Sequence, residues 1–217
     1  MTTSSMIIKS FNTIKEMIFD RMDSDDANNK TNYNQSLQYL LDHLNGVGEI
    51  ELKALATMKS AFCIHVDNKL MICYILTRFS TQSLKDCLKD VRKDSNIDHC
   101  IVILKDKGTN SNLKILYEHL EAFSLSKSSV EVFELKELVF NISHHTYVPK
   151  HILIPSEKKQ EIESIMNSLN VKNKSQLPVI LKTDPMARYL NAKTGDLIKI
   201  IHYPITSGEH YFYRICV

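Results

Sequence analysis

Residues 183–204 read TDPMARYLNAKTGDLIKIIHYP, and the choice is between a catalytic cluster and a short helix that leads into a strand. Asp184 precedes Pro185, and Asp is a favoured helix N-cap because its carboxylate accepts the orphan N–H groups of the first turn. Proline suits the first helical position, where its missing N–H costs nothing. Asp184 therefore has a structural task before any chemical one, and Arg188, four residues on, can share one side of a single turn. Gly195 supplies the turn into the next strand. DLIKIIHY and HYFYRICV then read as the arms of a hairpin around PITSG. No histidine or nucleophile stands at useful spacing from Asp184 and Arg188, so the structural reading outweighs a catalytic pair.

Working backward, YVPKHILIP holds Pro149 and Pro155, six residues apart, around a short apolar run. Ser156 is a candidate N-cap and Glu157 falls in the first turn. Ile162, Ile165, Met166 and Leu169 form the apolar face of a helix, and QLPVIL follows as a short strand. The pattern changes near residue 145, which divides the chain into units of 1–145 and 146–217. The second unit has only about 70 residues, where one core is marginal without staples. It has no disulfide pattern and no evident metal set, so it is expected to lean on a partner.

The first unit opens with Ile7, Phe11, Ile14 and Ile18, stepping by four, three and four along one helix face. DSDDANNKTN breaks this pattern, and a second helix runs through Leu37, Leu40, Leu41 and Leu44 to Gly46. EIELKAL, AFCIHV and KLMICYIL read as strands, the last two joined by the tight-turn pair Asp67-Asn68. STQSLKDCLKDV and NSNLKILYEHLEAF read as helices that alternate with the strands HCIVILK and SVEVFEL. Together these predict an α/β layer: a helix-flanked mixed sheet, followed by a small α+β domain with a β-hairpin.

Charge is uneven. Residues 1–145 carry 17 Lys and Arg against 19 Asp and Glu, a net of −2; residues 146–217 carry 10 against 6, a net of +4. That is well short of a free-standing DNA binder. Of five cysteines, Cys63, Cys73, Cys100 and Cys216 sit in apolar strand-like runs, which predicts buried free thiols in a reducing compartment. Cys87 lies on a helix, and no C-x-x-C spacing suggests zinc. The N-terminus shows no cationic region ahead of a long apolar run, so no secretory signal is expected. No stretch approaches 18 apolar residues, so no membrane partner is expected. Five glycines leave no glycine-rich phosphate loop, and no G-x-S-x-G or triad order appears.

Two weaker signals remain. His144, His145 and His151 share no helix face, and positioning roles outweigh metal binding. Glu51-Leu52-Lys53 and Glu134-Leu135-Lys136 repeat Glu-x-Lys in strand-like contexts, where a period of two puts both side chains on one face. Metal-dependent nucleases hold Mg²⁺ and a general base that way. A stand-alone nuclease built on the first unit is therefore the alternative reading. It would need a further acidic residue on a neighbouring strand.

HTYVPKH, followed by LPVI, DPMARYL, KTGDLIKII, TSG and YR, resembles the fifth-subunit family of eukaryotic RNA polymerases, which has a shorter counterpart in the archaeal enzyme. The matching positions are His145, Pro149, His151, Leu177, Pro178, Ile180, Asp184, Pro185, Ala187, Arg188, Tyr189, Lys193, Gly195, Lys199, Thr206, Gly208, Tyr213 and Arg214. The first unit is similar in its order of elements. Its opening helix ends in Asp20-Arg21-Met22, where the family often reads Asp-Arg-Gly, and Thr109 and Ser111 fall where the family has Thr-Pro-Ser-Ala. Departures stand at Val179 and His202, each in place of an arginine, at Pro204-Ile205, and at Glu209. They thin the charged surface around the hairpin.

The resemblance implies a non-catalytic subunit of a multisubunit DNA-dependent RNA polymerase that needs no cofactor of its own. Its second unit would dock on the largest subunit, among other subunits of the enzyme. The first would form part of the lower jaw near downstream duplex DNA. It implies partner contacts at Pro149, His151, Pro178, Asp184, Pro185, Arg188, Tyr189, Gly195, Thr206, Gly208, Tyr213 and Arg214. It implies DNA proximity for Lys105, Lys107, Thr109, Ser111 and Lys114. The expected location is the nucleus, with a cytoplasmic viral transcription compartment or virion as the alternative.

Overall fold

The computed structural model describes residues 3–22, 62–65, 70–76, 99–106, 129–204 and 208–217. The chain divides into two units, one of Met1–Glu16 with Ser24–Phe140 and the other of Met17–Asp23 with Asn141–Val217. The fold is α+β with mixed sheets, as the sequence predicts. Among the described residues no helix is long and apolar enough to cross a membrane.

In the first unit a four-stranded sheet runs β1 (Phe62–His65), β2 (Leu70–Ile75), β3 (His99–Leu104) and β4 (Ser129–Glu134), in that spatial order. β1 and β2 are antiparallel, whereas β2–β3 and β3–β4 are parallel. Continuous apolar runs such as LMICYI belong to strands buried on both faces, and every residue of β2 is buried. Helix α1 (Thr3–Arg21), which passes into the second unit at Met17, presents the expected stripe: Ile7, Phe11, Ile14 and Ile18 are all buried, together with Met17. Buried Ser10 fixes the helix to the sheet. Its hydroxyl donates to the Ile7 carbonyl at 2.7 Å and lies 3.1 Å from the Tyr74 hydroxyl. Burial raises the Tyr74 phenol well above its ordinary value. Cys73, Cys100 and Cys216 are buried free thiols, as predicted.

In the second unit the sheet order is β5 (Lys150–Ile154), β7 (Leu197–His202), β8 (His210–Cys216) and β6 (Val179–Ile180). The hairpin β7–β8 pairs Leu197 with Ile215 at its base and His202 with His210 at its tip. Side chains alternate across the sheet, so the row Ile154–Leu197–Ile215 shares one face. Helix α2 (Lys159–Ser168) adds Ile162 to that row, and Leu177 completes the core.

Three expectations change. Ser156 does not cap α2: the residue before the helix is Lys158, whose N–H bonds the Pro155 carbonyl at 3.0 Å, so a turn after the proline delays the helix start. Leu169 is exposed rather than part of the apolar face, because it lies past the last helical turn. Glu134 and Lys136 do not share a strand. β4 ends at Glu134, and Leu135–Leu138 form a 3-10 turn, η1, that buries Leu135 and Leu138. The expected helices over 37–44, 80–91 and 110–123, Gly46, Asp67-Asn68, Glu51, Lys53 and Cys87 lie outside the described residues.

Candidate docking surface of the C-terminal unit

Helix α3 (Pro185–Tyr189) is built as its sequence dictates. Asp184 Oδ1 accepts the Met186 N–H at 2.8 Å, and Pro185 takes the first helical position. Asn191 at the other end adopts a left-handed φ of 53°. The N–H groups of Asn191 and Ala192 then close on the carbonyls of Arg188 and Ala187, the paired bonds of a Schellman end. A side chain distant in sequence completes this cap. Arg21 Nε donates to the Tyr189 carbonyl at 2.7 Å and its Nη2 to the Arg188 carbonyl at 3.0 Å. A cation on the last carbonyls satisfies acceptors that the helix cannot and complements its dipole. A five-residue helix, far too short to persist alone, is thereby fixed at both ends.

Tyr189 points inward. Its hydroxyl donates to Asp20 Oδ2 at 2.7 Å and accepts from Asn141 Nδ2 at 3.3 Å. Burial pushes this phenol up to about 12, and the neighbouring Asp20 carboxylate adds to the rise. Asn141 in turn caps the 3-10 turn η2 (Ile142–His144), taking the Ser143 N–H at 2.9 Å. Asp196 makes a second knot. Though only 4% exposed, it accepts the Ser156 N–H at 2.8 Å through Oδ1 and the Lys193 N–H at 2.7 Å through Oδ2. Its carboxylate thus ties the end of β5 to the turn before β7.

The remaining predicted positions fall into distinct environments. Gly195 has φ of +95° and donates to the Cys216 carbonyl at 2.9 Å. An added Cβ would meet only Ser156 Cβ, at 4.0 Å, so glycine is needed there for its conformation rather than for space. Gly208, φ +76°, lies at the exposed hairpin loop, and Thr206 lies outside the described residues. Pro178 is exposed while its carbonyl accepts the Ile215 N–H at 2.9 Å. Tyr213 packs half-buried against the core row on one sheet face. Arg214, on the other face, is exposed and donates to the Val179 carbonyl at 3.2 Å.

His151 shares the Arg214 face, with its Nδ1 2.7 Å from the Pro149 carbonyl. Burial lowers its pKa, the Pro149 carbonyl and Asp184 oppose that, and Arg214 and His202 assist it. His151, Asp184 and Arg214 are therefore electrostatic neighbours, whereas Tyr213 faces the other way. The structure gathers the predicted partner residues around α3 and the two sheet faces rather than at one point. Pro149 and Arg188 are half-buried and Pro185 is exposed.

Of the residues expected near DNA, Lys105 is exposed just after β3, and its N–H bonds the Ile75 carbonyl at 3.0 Å. Lys107, Thr109, Ser111 and Lys114 lie outside the described residues. For the nuclease alternative, the Lys136 ammonium is exposed, 3.9 Å from Glu134. Among the described residues no three His, Cys, Asp or Glu side chains group as metal ligands. His144 and His145 are exposed, and the His145 ring lies 5.8 Å from that of Tyr147.

Sequence reasoning does not single out Asp20, Arg21, Asn141 and Asp196 as working residues. Asp20 and Arg21 stand out only as part of a similar helix ending, since nothing local reveals a bond across 168 residues. Asp196 carries a usable signal, because a carboxylate right after a turn glycine can accept the turn's own N–H groups.

Residues 140–216 match the family described as "RNA polymerase Rpb5, C-terminal domain". The chain is similar to "DNA-directed RNA polymerases I, II, and III subunit rpabc1" of Dictyostelium discoideum, 35% identical over 59% of this chain and 61% of that protein. It is 34% identical to "DNA-directed RNA polymerases IV and V subunit 5B" of Arabidopsis thaliana, over 59% and 53%. It is 31% identical to "DNA-directed RNA polymerases I, II, and III subunit RPABC1" of Caenorhabditis elegans, over 58% and 55%. The aligned stretch thus spans a little more than half the length of these relatives.

Proposed function

We propose, from the premise that the chain belongs through residues 140–216 to the fifth-subunit family of eukaryotic RNA polymerases, that it is a non-catalytic subunit of a multisubunit DNA-dependent RNA polymerase. The observation that carries this is a coincidence of boundaries. The family match begins at residue 140, and the second structural unit takes up the chain at Asn141. That unit has its helix ends and turns tied by internal bonds, yet it leaves large apolar side chains such as Tyr147, Val179, Tyr203 and Phe212 exposed. A small unit that is ordered but incompletely covered is suited to permanent assembly.

In this reading the second unit docks on the largest subunit, through surfaces that include Pro149, His151, Asp184, Pro185, Arg188 and Arg214. The first unit forms part of the lower jaw, and the complex is nuclear. Catalysis belongs to other subunits. The test is affinity purification of the tagged chain with identification of what accompanies it. The large polymerase subunits should co-purify in stoichiometric amounts; their absence would overturn the proposal.

The segment bracketed by Lys105, Lys107 and Lys114 is proposed to face downstream DNA. Three lysines neutralise about three phosphates, a weak and salt-dependent contact on its own. Tethering within the assembled enzyme raises the effective concentration and makes so weak a contact sufficient. A photo-crosslinking probe at residue 109 should label downstream DNA in an elongation complex and hardly at all in a mixture of free chain and DNA. Labelling of protein alone in the assembled enzyme would remove the DNA role.

A further inference from the structure

The register of the second sheet composes a surface that none of the similarities assigns. Beyond the core row Ile154–Leu197–Ile215, two more rows stand on the same face: Ile152–Lys199–Tyr213 and Lys150–Ile201–Tyr211. α2 covers the core row through Ile162, and Tyr213 packs at its margin. Ile201 is itself buried, whereas Lys150 is exposed, Ile152 is 37% exposed and Tyr211 48%. Exposed Ile152, Tyr211 and Lys150 thus stand with half-buried Tyr213 and Lys199 over half a sheet face.

The charges on this half-face are unbalanced. Lys199 Nζ lies 3.9 Å from the centroid of the Tyr211 ring, a cation held over an aromatic face. Neither Lys199 nor Lys150 makes an ion pair among the described residues. The carboxylate at the rim, Glu209, is engaged by phenols instead: it accepts from Tyr203 at 3.3 Å and hydrogen-bonds Tyr211. The surface therefore offers two cations beside an aromatic and apolar ground; of its carboxylates, Glu209 is bonded to phenols and Glu161 of α2 acts on Tyr213, and neither forms an ion pair with Lys150 or Lys199 among the described residues.

We infer that this half-face docks a segment of a neighbouring polymerase subunit that carries apolar side chains with acidic ones between them. The inference rests on the polymerase-subunit reading and names the face and the chemistry of the contact. Tyr211 beside Ile152 suits the dry centre of a protein interface, and carboxylates of the partner would meet Lys150 and Lys199. Nucleic acid fits less well. Two lysines neutralise only about two phosphates, a weak and salt-dependent contact.

The experiment uses the tagged full chain, expressed in its own cells and recovered with its partners both with and without nuclease treatment. The triple variant Lys150→Glu/Lys199→Glu/Tyr211→Ser should recover about tenfold less of the polymerase subunits than the unaltered chain, the change that accompanies loss of about 1.4 kcal/mol of binding, at an unaltered melting temperature. The charge reversal Lys172→Glu, outside this face, should recover as much as the unaltered chain.

Equal recovery by the triple variant would overturn this face while leaving the subunit reading intact. If the unaltered chain recovers no polymerase subunit, the subunit reading falls and this inference with it. Recovery abolished by nuclease would reassign the face to nucleic acid. Self-association of the purified chain that the triple variant abolishes would reassign it to a second copy. Should the triple variant melt early, Lys150→Glu alone, at an exposed position, gives the same reading at about threefold.

Discussion

The two sheets treat the same apolar residue types in opposite ways. In the first unit β2 and β3 are covered on both faces, and Tyr74 turns its one polar atom to buried Ser10. In the second, one row of the sheet is sealed by α2, while Ile152, Tyr211 and Phe212 remain exposed. The central strands do not differ: β7 (LIKIIH) buries Leu197, Ile198, Ile200 and Ile201 much as β2 buries LMICYI, and the exposed side chains stand on β5 and β8. Covering helix is short in the second unit. α2 has 10 residues and α3 only 5, against a sheet of four strands. The first unit's β2 and β3 are covered by their own chain; the second unit's sheet leaves apolar side chains exposed on β5 and β8.

The largest effect expected is in the sealed sheet. Ile72→Ala removes a fully buried side chain from β2, whose backbone pairs with β1 and β3. It should lower unfolding free energy by about 2–5 kcal/mol, measured by denaturant titration. Polymerase recovery per folded molecule should stay unchanged. A parallel loss of recovery would break the distinction between a stability unit and a docking unit.

Asp196→Ala strikes the second unit's internal bonding. Stranding the Ser156 and Lys193 N–H groups should cost about 1–3 kcal/mol, read by thermal melting, and should lower polymerase recovery as well. Asp184→Ala removes the cap bond to Met186 and should cost about 0.5–2 kcal/mol, again with weaker recovery. An unchanged melting temperature and full recovery would sink the capping argument.

The smallest effect concerns pH. Tyr189 ordinarily titrates near 10 and in the fold near 12, so folding favours its neutral form. That stability is fully present below pH 10 and is lost as pH rises through 12. Comparing alkaline unfolding of the unaltered chain with Tyr189→Phe should show a steeper decline between those values in the unaltered chain. Identical profiles would remove the role of its bond to Asp20.

Local signals are legible in the sequence. The stripe Ile7, Phe11, Ile14 and Ile18, the apolar strands of both sheets, and the cap at Asp184 each follow from residues within a few positions of one another. What is not legible depends on distance or on competition between local patterns. The bond of Arg21 to α3 spans 168 residues. Glu134-Leu135-Lys136 alternates like a strand, but Leu135 and Leu138 at a spacing of three favour a 3-10 turn, and burying both leucines wins. Ser156 reads as a cap because a helix follows it; its N–H belongs instead to Asp196, 40 residues away.

The central claim is that the second unit attaches this chain to a polymerase. Chemical crosslinking with mass spectrometry of the purified complex tests it directly. Lysines of the second unit, with Lys150, Lys174, Lys193 and Lys199 as reporters, should link to the largest subunit. Links to that subunit from residues 1–140 alone, or none to any polymerase subunit, would contradict the account.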